Sequence, residues 1–240
     1  MLDSLLIVRG NGPILITGPH SHTTIRNKKI HYQEKYIYDI VHKLYKLLGP
    51  KLCTIMTWNI DFLQDTNLYP SDPNFVQNIE KSVWFKQLKA FKSKKPRFYL
   101  HLDLHGMKNS TTKNHIEIGM KAVQLHRPGL SQHMKPIIDE QINSLGVPYS
   151  FNSQFQGWGM NKYTVANQGV LLGFFSIQLE ISTDIRKRIK NSKVFSKKFV
   201  KAVREIYKQW KIEMKKPEHH KKTIKCIKKK RRNKTRKKRK

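Results

Sequence analysis

Ile14-Leu-Ile-Thr-Gly-Pro-His-Ser-His22 is an apolar run that breaks at glycine and proline and ends in two histidines. A short apolar run bounded by turn residues reads as a buried strand. Downstream, His31 to Leu48 has helical period: Glu34, Ile37, Val41, Leu44 and Leu48 fall on one face, and Gly49-Pro50 stops the helix. Leu52-Cys-Thr-Ile-Met-Thr57 follows as a strand. Upstream, Leu5-Leu-Ile-Val8 is separated from the first run by Arg9-Gly-Asn-Gly-Pro13, which reads as a hairpin turn.

The alternation continues along the chain. Trp58 to Pro73 is expected to be a loop, Phe75 to Phe91 a helix and Arg97 to Leu104 a strand running into His105-Gly106. His115 to Gly119 reads as a short strand, and Leu130 to Leu145 as a helix closed by Gly146. Tyr149 to Asn167 looks loop-like, Gly173 to Ile181 is a strongly apolar strand, and Ser182-Thr183 caps a basic helix reaching to about Met214. Strands alternating with helices predict an α/β fold: a mixed, mostly parallel sheet flanked by helices.

Charge divides the chain differently. The 240 residues hold 48 Lys+Arg against 16 Asp+Glu, a net charge of +32. From Arg186 onward there are 27 basic and 3 acidic residues. Two parts are therefore expected: an α/β domain over 1–214 and a Lys/Arg-rich disordered tail over 215–240, which is too polar to offset its ordering entropy by burial. The tail suits non-specific contact with nucleic-acid phosphates, a nuclear address, or simple solvation. It lacks interleaved aromatics for base stacking. The chain has no run long and apolar enough for a membrane span. Its first residues lack a basic leader and a small-residue cleavage site, and Cys53 and Cys226 do not resemble a disulfide framework. An intracellular protein, cytoplasmic or nuclear, is expected.

Chemistry in α/β sheets collects where loops leave the carboxyl ends of strands. His20 follows the strand at Ile14–Thr17, His105 follows the strand ending at Leu104, and Glu180 lies within the last apolar strand. Glu34 shares the apolar face of the first helix, and a buried carboxylate needs a partner. Two histidines and a carboxylate, with a position left for water, is the donor set of a catalytic zinc site. Each residue also has a plain reading. A histidine at a strand end is commonly structural, Glu34 could be solvated at a helix edge, and Glu180 could pair with Arg186 or Lys187. Asp103 alternates with Leu102 and Leu104, which puts it beside His101 and His105 as a hydrogen-bond acceptor.

Five segments taken in order resemble the N-formylglutamate amidohydrolase family, zinc enzymes related in fold to the zinc carboxypeptidases and aspartoacylases. They are Pro13 to His22, Asp65-Thr-Asn67, Leu102-Asp-Leu-His-Gly106, His115-Ile-Glu-Ile-Gly119 and Gln178-Leu-Glu-Ile181. The resemblance implies a zinc-exopeptidase-like fold and zinc as cofactor. It implies a small-molecule amide or peptide as substrate. By the same resemblance His20, Glu34 and His105 are metal ligands, Glu180 is the general base, and Asp103 fixes the tautomer of a ligand histidine. His22 stands where the family has glycine and could itself be a ligand. Asp65 and Asn67 match the family's Asp-x-Asn-Arg, but Leu68 replaces the arginine. Arg26, Arg97, Arg127 and Arg186 remain as guanidinium groups for a substrate carboxylate.

Overall fold

A computed structural model of the chain describes residues 5–66, 68–94, 99–108, 115–159 and 162–216. Of the tail expected over 215–240, residues 217–240 lie outside the described residues. Nine strands are described: β1 (Leu6–Gly10), β2 (Ile14–Gly18), β3 (Thr24–Arg26), β4 (Lys29–His31), β5 (Cys53–Trp58), β6 (Leu100–Met107), β7 (Ile116–Gly119), β8 (Tyr149–Phe151) and β9 (Phe175–Ser182). The α-helices are α1 (Ile37–Leu48), α2 (Ile60–Asp65), α3 (Val83–Lys94), α4 (Lys121–His126), α5 (Pro128–Asn143), α6 (Val165–Leu172), α7 (Thr183–Asn191) and α8 (Lys193–Glu213).

Seven strands form one mixed sheet in the order β1-β5-β2-β6-β9-β7-β8. The central four, β5, β2, β6 and β9, are mutually parallel; β1 is antiparallel to β5 and β7 antiparallel to β9, with β8 parallel to β7 at the far edge. Helices cover both faces, as the α/β reading requires. Ile14, Ile16, Leu102, Ile177 and Leu179 belong to a core cluster with α1, α5, α7 and α8. Leu15, Met56, Trp58 and Tyr99 belong to a second cluster with Leu63 of α2, Trp84, Phe85 and Leu88 of α3, and Val165 of α6.

The expected hairpin between the first two apolar runs is not formed. β5 lies between β1 and β2, antiparallel to the first and parallel to the second. The glycines in Arg9-Gly-Asn-Gly-Pro13 serve close approach instead. A Cβ on Gly12 would stand 1.9 Å from the Leu52 carbonyl carbon, and one on Gly10 (φ +89) would stand 2.1 Å from the Cys53 carbonyl oxygen.

Other boundaries move for local reasons. The first helix begins at Ile37, and Glu34 precedes it in a loop, because Tyr36 takes a left-handed conformation (φ 70) that cannot continue a helix. The buried stripe is Ile37, Ile40, Val41, Leu44 and Leu48. The stretch 58–73 contains the short helix α2, capped by the Asn59 side chain. The helix expected from Phe75 begins only at Val83. The stretch 149–167 holds β8 and the start of α6, capped by Thr164. The basic C-terminal helix is two helices, broken at Ser192, whose hydroxyl accepts from Phe195 N.

Candidate metal centre

Alternation along the central strands sorts the residues chemically. Cross-strand partners point to the same face of a sheet. Thr17, Asp103, Gln178 and Gly119 form one row across β2, β6, β9 and β7, and His105, Glu180 and Glu117 form the next row toward the carboxyl end of β6. Leu102, Leu104, Ile177, Leu179 and Ile118 alternate with them and join the core. The polar residues are buried too, so each needs a partner.

Three donor groups converge at the end of these rows. The loop after β2 brings His20, the loop before α1 brings Glu34, and β6 brings His105. His20 Nδ1 is 2.6 Å from Glu34 Oε1, His105 Nδ1 is 3.1 Å from His20 Nδ1, and His105 Nδ1 is 3.6 Å from Glu34 Oε2. These atoms satisfy the mutual spacing of a three-ligand metal group. The Gly106 backbone N–H donates to Glu34 Oε2 at 2.6 Å, which fixes the carboxylate. Glu34 is also tied to its place from behind, since its own N–H donates to the His20 carbonyl at 2.9 Å.

The far nitrogen of each histidine is also held. His20 Nε2 is 3.1 Å from Asp72 Oδ1. Asp72 is buried and accepts in addition from Arg26 Nε at 2.6 Å and from the Asn74 N–H at 2.8 Å. His105 Nε2 lies 3.3 Å from Asp103 Oδ2 and 2.8 Å from Asn74 Nδ2. Asp103 Oδ1 accepts from Thr17 Oγ1 at 2.7 Å, and its Oδ2 from the Ala166 N–H at 3.1 Å. A buried carboxylate behind a histidine, with the near nitrogen facing other donors, is the arrangement that orients metal ligands.

The charges follow from the geometry. Burial alone would lower the pKa of His20, but the Glu34 charge and hydrogen bonds to Asp72 and Glu34 outweigh it and raise it to about 9. Burial likewise opposes protonation of His105, yet Asp103 and Glu34 hold its pKa well above the ordinary value. Burial works against ionised Glu34 and Asp72, and the histidines overcome it and depress both carboxyls. Glu180 goes the other way: burial and then repulsion from Glu34 outweigh the pull of His105 and raise it to about 7. Its Oε1 accepts from Gln178 Nε2 at 2.7 Å. Its neighbour across β7, Glu117, turns to the Gln154 and Phe155 N–H groups.

The remaining expected site residues divide. Arg186 is buried and donates to the Lys35 and Met107 carbonyls and to Thr183 Oγ1. Its guanidinium occupies the space beside Gly106, where a Cβ would stand 2.3 Å from Nη1. It therefore braces the segments that carry Glu34 and His105. His22 is outside the metal groups of the described residues; its ring stacks at 6.4 Å on Tyr69. Asp65 is exposed at the end of α2 and is not brought to the cluster, and Asn67 and Arg97 lie outside the described residues. Arg127 is near Gly173. Arg26 is the guanidinium beside the cluster, on Asp72 and 5.0 Å over the Phe75 ring.

Asp72 and Asn74 were not among the expected site residues, although the signal exists. Asp-x-Asn occurs twice, as Asp65-Thr-Asn67 and as Asp72-Pro-Asn74. The second copy is the one beside His20 and His105. In that copy Phe75 stands at the place of the motif's arginine.

The fold has solved counterparts. The gene product Atu2144 from Agrobacterium tumefaciens is similar over 90% of this chain and 98% of its own, with a TM-score of 0.55 and 9% identity. YNDL in its zinc-free apo form matches over 85% of this chain and 88% of its own, with a TM-score of 0.51 and 14% identity. A putative carboxypeptidase A from Shewanella denitrificans matches over 85% of this chain but 61% of its own length, with a TM-score of 0.51 and 13% identity. No protein-family model and no curated protein matches the chain. The likeness is one of fold, a zinc-carboxypeptidase-like α/β architecture.

Proposed function

We propose that the protein is a zinc-dependent hydrolase that cleaves an amide bond in an N-acyl amino acid or small peptide. The observation that carries this reading is the convergence of His20 Nδ1, His105 Nδ1 and the Glu34 carboxylate, with each histidine backed by a buried aspartate. Two nitrogens and one carboxylate suit zinc and leave a coordination position free. The short motifs resembling N-formylglutamate amidohydrolases and the carboxypeptidase-like fold support the same reading.

Zinc bound by these three residues supplies a water acidified toward neutrality and an electrophile for the substrate carbonyl. Glu180 takes the proton from the attacking water. It is in register with His105 on the neighbouring strand, which puts its carboxylate on the sheet face that carries the ligands, and a carboxylate so placed can accept and return a proton. Gln178 holds one of its oxygens, so the carboxylate is aimed and not free to rotate. The proton then passes to the leaving amine. Asp72 and Asp103 keep the ligand histidines in one tautomer, and Arg186 keeps the loop of Glu34 against β6. Arg26 is the cation placed to receive a substrate carboxylate.

The test is hydrolysis of a panel of N-acyl amino acids and dipeptides by zinc-loaded protein and by His105→Ala. Turnover that needs zinc and is lost in the variant is expected. Equal turnover in the variant, or none on any amide, overturns the reading.

A further inference from the structure

The longest helix among the described residues, α8, carries different chemistry on its two sides. Phe195, Phe199, Val203, Ile206 and Trp210 are buried and pack into the core beside α1 and α5. The outer side presents Lys197, Lys201, Arg204, Lys208, Lys211 and, just past the end, Lys215, all exposed. These positions are spaced alternately by four and three residues, which places them in one stripe. At 1.5 Å per residue, Lys197 to Lys211 covers about 21 Å.

The stripe is poorly neutralised. Lys208 is 3.6 Å from Glu205, an exposed pair of little strength, and Arg204 donates to the Leu47 carbonyl. Among the described residues no carboxylate is within ion-pair distance of Lys197, Lys201, Lys211 or Lys215. Like charges at these spacings destabilise a helix. A polyanion laid along the stripe would relieve that repulsion. Beyond Lys216 the chain adds 14 more Lys/Arg over 217–240 against Glu218 alone.

We propose that the outer face of α8 docks a nucleic-acid duplex through its phosphates, without reading its sequence. The apolar residues between the cations point inward and are buried, and the exposed apolar residues Val194 and Ile212 stand at the two ends of the helix. The stripe therefore has no apolar face to sink into a lipid surface. Tyr207 is half-buried and Trp210 buried, so no exposed ring offers a platform for unpaired bases. A row of lysines on a rigid helix is suited to duplex phosphates. This proposal is independent of the hydrolase reading.

The test titrates the full chain with a labelled DNA duplex of about 20 base pairs across a series of salt concentrations. One variant carries Lys197→Gln, Lys201→Gln, Lys208→Gln and Lys211→Gln. A control removes the same charge elsewhere, through Lys28→Gln, Lys51→Gln, Lys81→Gln and Lys86→Gln. Each phosphate contact contributes about 0.9 to the slope of log affinity against log salt, so the stripe variant is expected to flatten it by about 3 to 4. The control should keep the wild-type slope. A wild-type slope in the stripe variant overturns the proposal and assigns binding to 217–240. Binding of the wild type to phosphatidylserine vesicles but not to the duplex overturns it as well.

Discussion

Asp72→Ala is the most informative substitution, because it removes a residue that neither touches the proposed metal nor lies in a regular element. In the wild type its buried carboxylate accepts from His20 Nε2, Arg26 Nε and the Asn74 N–H, at 3.1, 2.6 and 2.8 Å. Breaking a buried ion pair from one side costs about 3–5 kcal/mol. Arg26 is partly exposed and can turn to water, so the lower end, about 3 kcal/mol, is expected for the metal-free protein. The effect on metal binding is separate. Loss of the group that orients a ligand histidine typically weakens affinity by about 10–100-fold, or about 1.4–2.7 kcal/mol. Urea unfolding of dialysed protein measures the first quantity, and competition with a chromogenic zinc chelator measures the second. Asp72→Asn keeps the shape and removes the charge, so it protects the experiment against simple misfolding. Asp65→Ala deletes the aspartate of the other Asp-x-Asn copy, and as an exposed change should stay within about 0.5 kcal/mol with unaltered zinc affinity. Zinc affinity within twofold of wild type in Asp72→Asn, or a larger loss in Asp65→Ala, would refute the reasoning.

Three further outcomes are expected. Glu180→Gln should retain zinc while turnover falls about 10²–10⁴-fold, the usual worth of a positioned general base; normal turnover in a zinc-loaded variant would remove Glu180 from that role. Arg186→Ala should weaken zinc binding about 10–100-fold, with partial recovery in Arg186→Lys; affinities equal to wild type in both would mean that the brace on Lys35 and Met107 does not reach the ligands. In metal-free protein the His20 pKa is raised above its ordinary 6.5 to about 9, so its ion pairs stabilise fully below 6.5 and fade as pH rises through 9. Zinc must displace that proton, so its apparent affinity should rise over the same window while apo melting temperature falls, by calorimetry and chelator competition; a flat zinc affinity from pH 6.5 to 9 would contradict the assignment.

Much of this architecture is legible in local pattern, and the exceptions have identifiable causes. Short apolar runs located β2, β5 and β9, alternation located β6, and the spacing of Ile37, Val41, Leu44 and Leu48 located α1. Pairing was not legible: a glycine-rich turn between two apolar runs looks the same whether the runs pair or admit a third strand between them. Gly10 and Gly12 make room for the segment entering β5, which only the tertiary arrangement reveals. Glu34 could be placed near His20 but not off the helix, since the left-handed Tyr36 leaves no mark in composition. The choice between the two Asp-x-Asn copies depended on which loop folds back over the sheet, and seven residues of sequence carry no such information. Arg186, expected beside Glu180 or on a substrate carboxylate, donates to the Lys35 and Met107 carbonyls and to Thr183 Oγ1, contacts that a sequence pattern does not encode.

The proposed zinc site is made by His20, Glu34 and His105 together, holding one ion. The direct measurement is zinc content by mass spectrometry of dialysed wild type and of His20→Ala, Glu34→Ala and His105→Ala, each after loading and desalting. One zinc per chain in the wild type, and loss of retained zinc in all three variants with the fold preserved by circular dichroism, is predicted. A wild type that retains none, or a variant that retains as much as the wild type, would contradict the account.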